Sequence, residues 1–237
     1  MHLSAPIYQL KRQAKLLARQ RDMPLHKALD QIATTEGFQS WGHLASSASA
    51  GLPADVVLSQ LQPGDLVLLG ARPGQGKTLL GLELASKAAT LNRTGFFFTL
   101  DYHMRDVADR FADLGIDQMS VQKTVEVDTS DEVSADYVIG RLECFDTPVM
   151  AVIDYLQLLD QRRTNPDLQD QITSLRTYVK ATGGICVVIS QVNRSFDLSD
   201  KPMPDLSDVR LPNPLDLSIF DKVCFLHNGK LQVDQAA

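Results

Sequence analysis

The sequence predicts an α/β protein with a mostly parallel sheet covered by helices on both faces, preceded by a small all-helical unit. Apolar runs of strand length alternate with segments of helical periodicity through most of the chain, which is typical of strands joined by crossover helices. One of these runs leads directly into a glycine-rich loop and then a helix. The first 46 residues show only helical periodicity. Together these patterns favour one α/β domain with an N-terminal appendage.

Composition divides the chain into three segments. We predict a small basic helical unit at residues 1–46, a linker at 47–56 and the α/β domain at 57–237. Residues 1–50 carry six Lys and Arg against three Asp and Glu, whereas the net charge of the whole chain is -6. A global basic field for nucleic acid is therefore excluded. Because no apolar stretch is long enough to span a membrane and no signal peptide opens the sequence, we expect a cytoplasmic protein without a membrane partner.

The N-terminal unit is predicted from three helical patterns. The first carries an apolar stripe from Ile7 to Leu17, with Lys and Arg on another face. Pro24 opens the second helix, Gly37 ends it, and Ser40 caps a short third helix. Such a unit either contacts nucleic acid as a helix-turn-helix or serves as a docking or oligomerisation segment. The docking interpretation is favoured, because many helices carry Lys and Arg on a solvated face.

A phosphate-binding loop is the most specific motif in the α/β domain. It comprises an apolar strand at 65–70, the loop ARPGQGKT at 71–78 and a helix at 79–91. Gly74 and Gly76 allow the backbone to turn its N–H groups toward a phosphate. Lys77 adds a full positive charge, and the hydroxyl of Thr78 is suited to ligate Mg²⁺. The predicted nucleotide-binding residues are Arg72, Pro73, Gly74, Gln75, Gly76, Lys77, Thr78 and Leu79.

The other elements follow in alternation along the chain. Helices are predicted at 104–114, 132–143 and 167–181, and strands at 95–100, 121–127, 149–153, 185–190 and 223–226. The strand at 121–127 alternates apolar and polar residues, which indicates an edge position. Cys144, Cys186 and Cys224 lie in or beside apolar runs without metal-ligand spacing, so they are predicted to be reduced core residues.

Polar side chains stand at the predicted carboxyl ends of these strands, where ligands bind to parallel sheets. Lys77, Asp101, Asp154 and Gln191 all fall there. Asp154 is suited either to hold Mg²⁺ opposite Thr78 or to cap a turn, and the loop favours the metal role. Asp101 either deprotonates an attacking water or is a turn residue. Gln191 either senses a γ-phosphate through its amide or satisfies loop backbone groups.

Several segments resemble the RecA-like P-loop ATPase domain of the DnaB-like replicative helicase family. IDYLQLL and ISQVNR are specific to this branch of the P-loop proteins. The resemblance covers roughly residues 57–227, most of the chain. The matching segments lie at 61–78, 97–104, 125–130, 149–159, 187–195 and 207–210.

The resemblance implies ATP as the nucleotide, bound with Mg²⁺ by a Walker A loop. By resemblance, Lys77 and Thr78 form the phosphate and metal site, and Asp154 is the second metal contact. Gln191 would relay the nucleotide state to DNA-binding loops that follow Asp160 and Asn193. The family is hexameric and moves along single-stranded DNA, which implies a ring or filament of this chain. The predicted catalytic residues are Asp101, Gln191 and Lys77.

The sequence also departs from the family pattern. Asp101 stands where the family has Glu, and the shorter side chain is expected to position water less well. Leu211 replaces the acidic residue that usually follows the SDxR motif. The sequence reaches Ala237 soon after the last predicted strand, and no equivalent of the family's basic finger is visible in it. We therefore expect slow ATP hydrolysis by this chain alone.

Two functions of different classes follow from these motifs. The first is an ATPase of the DnaB-like helicase type that acts in DNA replication or other DNA transactions. The second is a nucleotide-gated regulatory or loading module that binds ATP, hydrolyses little and unwinds no DNA. A replication protein is the expected partner of such a module. Phosphate release with and without single-stranded DNA distinguishes the two.

Overall fold

A computed structural model describes residues 4–5, 7–42, 44, 53–100, 102, 104–113, 125–160, 165–211 and 213–236. The chain divides into two compact units, Met1–Val56 and Val57–Ala237. Residues 47–52 of the predicted linker lie outside the described residues, and residues 53–56 begin a helix, α3, at Pro53–Leu58. The predicted boundaries at 46 and 56 stay a prediction.

The N-terminal unit contains the helices α1 at Ile7–Gln20 and α2 at Leu25–Thr35. Apolar residues spaced by helical turns meet between them and are removed from water, which stabilises helices too short to persist alone. The N–H of Trp41 donates to the Asp30 carboxylate at 2.9 Å, which ties the following turn to α2. The buried residues of this small core are Leu10, Ala33, Phe38 and Leu44.

The second unit is built on a seven-stranded sheet. The strands are β1 Leu66–Ala71, β2 Thr94–Thr99, β3 Val125–Asp128, β4 Val149–Asp154, β5 Ile185–Gln191, β6 Lys222–His227 and β7 Lys230–Gln235. Their order across the sheet is β3-β2-β4-β5-β1-β6-β7. All neighbouring pairs are parallel except β6 with β7. β1, β2, β4 and β5 are buried except at the half-buried end residues Thr94 and Gln191, as expected for parallel strands covered on both faces.

Helices cover both faces of this sheet. They are α4 Lys77–Ser86, α5 Met104–Asp113, α6 Ala135–Leu142 and α7 Leu168–Thr182. One face, with Leu68, Phe98 and Val188, packs with apolar residues of α6 and α7. Alternate residues point to the opposite face, where Gly81 of α4 lies against Val152 and Ile189. The period of two along each strand therefore supplies both layers of the core.

The antiparallel strand β7 was not predicted from the sequence. It pairs with β6 through the tight turn Asn228-Gly229, whose φ angles of 49° and 74° are both positive. A two-residue turn of this kind favours Asn-Gly and matches the twist of a hairpin. The alternating exposure along β7 makes it an edge strand with one face toward water. The Asn-Gly pair followed by alternating residues was the signal that could have predicted it.

Three other expectations need correction or limitation. The helix predicted at 79–91 is α4 followed by a separate 3₁₀ turn at Ala88–Leu91, because the helix ends at Ser86. Cys144 is exposed rather than a core residue, whereas Cys186 and Cys224 are buried. Burial raises the pKa of both buried thiols to about 12. Residues 121–124 of the predicted edge strand lie outside the described residues, and its described part is β3.

Candidate functional site

The phosphate-binding loop joins the end of β1 to the start of α4. Gly74 and Gly76 adopt φ angles of 80° and 92°, a left-handed conformation that glycine adopts without steric cost. Among the described residues, nothing lies within 4 Å of the position a Cβ would take on Gly74. The loop therefore keeps open space beside its backbone, as a cradle for a phosphate group requires.

Close packing seats α4 over the sheet and so positions its first residues. A Cβ on Gly81 would come within 2.7 Å of Ile189 Cδ1 and 3.0 Å of Val152 Cγ1. Only glycine allows the helix to approach these strands so closely. Lys77 and Thr78, at the start of α4, are consequently held beside the carboxyl ends of the parallel strands. The helix N-terminus adds partial positive charge at the same place.

Lys77 is placed as a phosphate ligand would be. It is the first residue of α4 and is half-buried. Within the described part of the chain, its ammonium makes no hydrogen bond or ion pair. A half-buried cation beside a helix N-terminus and an open glycine loop suits an anionic ligand. These residues fit the phosphates of a nucleotide.

Asp154 ends β4 and Gln191 ends the adjacent strand β5, which lies between β4 and β1 in the sheet. Asp154 ends β4, is 2% exposed and stands opposite Thr99 of β2. Gln191 ends β5 opposite Ala71, the last residue of β1. The topology therefore brings Lys77, Asp154 and Gln191 to one edge of the sheet. Asp101, the predicted base, lies outside the described residues.

The predicted metal residues are Thr78 and Asp154. Within the described ranges no cluster of three or more His, Cys, Asp or Glu could hold a metal ion. A hydroxyl and one carboxylate nevertheless suit Mg²⁺, since this ion keeps several waters and takes further oxygen ligands from nucleotide phosphates. The donor set therefore fits Mg²⁺ bound together with a nucleotide rather than alone.

The side chains of two predicted loop residues are engaged elsewhere. Arg72 donates from Nε and Nη2 to the Asp197 carboxylate at 3.0 and 2.6 Å, and from Nη1 to the Val192 carbonyl at 3.1 Å. The hydrogen bond from Arg72 holds the pKa of the Asp197 carboxyl below its usual range. Gln75 accepts from the N–H of Asn228 at 2.8 Å. Arg72 is therefore held by Asp197 and Val192, and the side-chain carbonyl oxygen of Gln75 is held by Asn228, whereas the NH₂ group of Gln75 keeps its donors.

These contacts link the phosphate-binding loop to two distant segments. Asp197 lies in the 3₁₀ turn Arg194–Leu198 that follows β5, and Asn228 lies in the β6–β7 turn. From the sequence, Asp197 was predicted only as part of the DNA-binding segment after Asn193, and Asn228 was assigned no role. No local pattern could have found them, because each contact spans more than a hundred residues along the chain.

The segment after β4 is fastened at both ends by one buried amide. Gln171 of α7, 1% exposed, donates to the carbonyl oxygens of Leu159 at 2.6 Å and Pro166 at 2.8 Å. Its own carbonyl oxygen accepts from the N–H of Ala135 at 3.0 Å. This is one of the two segments predicted to contact DNA. Residues 161–164 lie outside the described residues.

The second predicted DNA segment, after Asn193, is held by a lysine. Lys201 Nζ lies 2.9 Å from carboxylate oxygens of both Asp205 and Asp208 and 3.1 Å from Ser207 Oγ. The hydrogen bond from Lys201 lowers the pKa of the Asp205 carboxyl to about 2. Asp205 and Asp208 also form a capping box around a short 3₁₀ turn. Lys201 is therefore committed to the local fold of this segment.

Comparison with known proteins identifies what this fold and site resemble. Residues 51–136 match the family model of the DnaB-like helicase C terminal domain. The chain is 24% identical to the replicative DNA helicase DnaB of Leifsonia xyli over 84% of its own length and 50% of that protein. It is 26% identical to the replicative DNA helicase DnaB of Helicobacter pylori over 74% of its length and 42% of that protein. The chain thus spans about half the length of the curated relatives it matches.

Solved structures agree with this comparison. A DnaB-like replicative helicase, solved for its interactions with primase, gives a TM-score of 0.60 at 16% identity over 96% of this chain and 73% of that one. An ATPase domain of known structure superposes with a TM-score of 0.59 at 19% identity, covering 78% of this chain and 80% of that one. These matches confirm the predicted fold, which is that of RecA-like domains. Together with the family model they confirm the resemblance to the DnaB-like replicative helicase family.

Proposed function

We propose that this chain binds ATP with Mg²⁺ and is a slow ATPase of the DnaB-like helicase type, acting in DNA replication or another DNA transaction. The observation that carries the proposal is the open phosphate-binding loop at the strand ends, with Lys77 unpaired among the described residues. Asp154 and Gln191 end the neighbouring strands on the same edge. This is the set of groups that a nucleoside triphosphate requires.

Each residue has a distinct role in this proposal. The backbone N–H groups of the loop and the ammonium of Lys77 bind the phosphates. Thr78 and Asp154 would hold Mg²⁺, which neutralises charge on the phosphate oxygens. Asp101 orients and deprotonates the attacking water, and its side chain is one methylene shorter than the Glu found in the family. A less well placed base raises the barrier, and about 1.4 kcal/mol slows the step tenfold.

DNA binding, assembly and location belong to the same proposal. We assign single-stranded DNA to the segments after Asp160 and Asn193, and we propose a homo-oligomeric ring or filament or a replication-protein partner. The basic face of α1 either adds to the DNA contact or docks a partner. No helix in the described ranges is long and apolar enough to cross a membrane. We propose a cytoplasmic location.

The central test is nucleotide affinity in the Lys77→Ala variant. Removal of the only full charge predicted to meet the outer phosphates should weaken ATP binding at least tenfold, because charge-assisted bonds to phosphate are strong. The fold should survive, since the side chain of Lys77 makes no hydrogen bond or ion pair with the described residues. Lys230→Ala, which removes an equal charge from the exposed end of β7, is the matched control. Unchanged ATP affinity in a folded Lys77→Ala protein would refute the proposal.

Phosphate release separates the ATPase from the nucleotide-gated module. The ATPase hypothesis predicts slow phosphate release, which single-stranded DNA stimulates and the Lys77→Ala substitution abolishes. The gated module predicts ATP binding of similar affinity with no release in either condition. The two hypotheses predict similar ATP affinity and differ only in turnover. ATP binding and phosphate release should therefore be measured on the same protein preparation.

A further inference from the structure

The side chain of Gln191 accepts a hydrogen bond from an arginine on a neighbouring segment. Arg210 Nη1 donates to Gln191 Oε1 at 3.2 Å. Arg210 ends the SDVR segment, which runs antiparallel to the residues that follow β5 through a bridge between Val192 and Val209. Arg210 is exposed and Gln191 is half-buried, so the guanidinium approaches the amide from the solvent side.

This contact determines which end of the Gln191 amide faces Arg210 and which end faces away from it. A guanidinium carries only donors, whereas an amide has one acceptor end and one donor end. Arg210 therefore selects the carbonyl oxygen of Gln191 and leaves the NH₂ group directed elsewhere. Phosphate oxygens are acceptors only, so the NH₂ group is the end that a γ-phosphate needs. Without Arg210, the two amide orientations would be closer in energy.

The position of Arg210 is fixed by its backbone and not by its side chain. Its N–H donates to the Gln191 carbonyl oxygen at 2.7 Å. Its carbonyl oxygen accepts from Gln157 Nε2 at 2.8 Å. The N–H of Asn193 donates to the Asp208 carbonyl oxygen at 2.7 Å on the same ladder. A change in the Arg210 side chain should therefore leave the segment in place and affect only the amide of Gln191.

We propose that Arg210 is a positioning residue that orients the Gln191 amide so that its NH₂ group meets the γ-phosphate of ATP. The proposal rests on the proposed function and adds a residue to it. Arg210 acts through Gln191 and need not touch the nucleotide. Its effect is confined to the third phosphate, since the backbone N–H groups of the loop bind the α- and β-phosphates. Arg210 therefore contributes to the preference for ATP over ADP.

The test compares ADP with a non-hydrolysable ATP analogue, each with Mg²⁺, by calorimetry on the full chain. Arg210→Met should leave the ADP affinity unchanged and reduce the preference for the triphosphate by roughly 2- to 10-fold, the worth of one hydrogen bond. Arg210→Lys keeps a donor and should recover part of that loss. Lys230→Met removes an equal charge and should have no effect. Parallel loss of ADP and triphosphate affinity would show a structural role and overturn the proposal.

A double-mutant cycle separates positioning from direct phosphate contact. In a Gln191→Met background, Arg210→Met should cause no further loss of triphosphate preference, because the amide it orients is gone. An additive loss would show that Arg210 meets the phosphate itself and would overturn the positioning role. If the parental chain binds neither nucleotide, the proposed function fails and this proposal fails with it. If the parental chain prefers the triphosphate and Arg210→Met keeps that preference, this proposal alone is refuted.

Discussion

The buried amide of Gln171 gives the sharpest stability prediction. Its side chain connects the start of α6 with both ends of the segment that follows β4, through the N–H of Ala135 and the carbonyl oxygens of Leu159 and Pro166. Gln171→Met keeps the length and approximate volume of the side chain while removing all three hydrogen bonds. The change therefore tests the polar contacts with little effect on packing.

The magnitude follows from what each partner retains. A typical intramolecular hydrogen bond contributes about 0.5–1.5 kcal/mol net, and a buried group left without a partner costs about 1–3 kcal/mol. Leu159 keeps a bond from Asn165 Nδ2 at 3.1 Å, and Pro166 is exposed, so its carbonyl oxygen can bind water. Ala135 is 1% exposed, and its N–H would lose its acceptor. We expect the free energy of unfolding to fall by about 2–4 kcal/mol.

The assay is urea unfolding followed by far-ultraviolet circular dichroism, with hydrogen exchange at the Ala135 amide as a local readout. The amide should exchange faster in Gln171→Met, because its hydrogen bond is lost. Gln60→Met, the same change at an exposed residue, should alter stability by less than about 0.5 kcal/mol. If the two variants are equally stable, the three hydrogen bonds contribute nothing net, and the reasoning about this segment is wrong.

Three further predictions concern packing, pH and thiol chemistry. Gly81→Ala should destabilise the protein and weaken ATP binding, since its Cβ would lie 2.7 Å from the buried Cδ1 methyl of Ile189. Gly140→Ala, also in a helix but with no atom within 4 Å among the described residues, should stabilise the protein by about 0.5–1 kcal/mol. Equal changes in the free energy of unfolding of the two variants, measured by urea titration, would contradict this. The Asp205 carboxyl, with its pKa lowered to about 2, should keep its contact with Lys201 above about pH 4 and lose it as the pH falls toward 2. Carbon NMR titration measures this pKa, and Lys201→Met should return it toward its usual range. A thiol reagent should label Cys144, which is exposed, and leave the buried Cys186 and Cys224 unlabelled in the native state. Labelling of more than one thiol per folded chain would argue against the burial of the other two.

The order of elements in the α/β unit could be predicted from local sequence patterns. Buried parallel strands need near-continuous apolar runs, and 149–153 and 185–190 satisfied that requirement within a residue of the observed β4 and β5. The loop before Lys77 was predicted because its glycines, lysine and hydroxyl stand next to one another in the chain. The strand β7 was missed although its Asn-Gly turn is local, since β7 is an exposed edge strand with few apolar residues.

What only the tertiary structure decided is which distant residues meet at the strand ends. Sequence placed Gln191 at the end of a strand, but its contact with Arg210 depends on a segment folding back beside β5. Sequence likewise placed Arg72 in the phosphate-binding loop, and the fold turned its side chain to Asp197. Such pairs carry no local periodicity, because at least one partner of each pair lies in an irregular segment whose position is set by the whole sheet. A single sequence therefore determines the elements and the loop, and the packed sheet determines how the polar groups around that loop are paired.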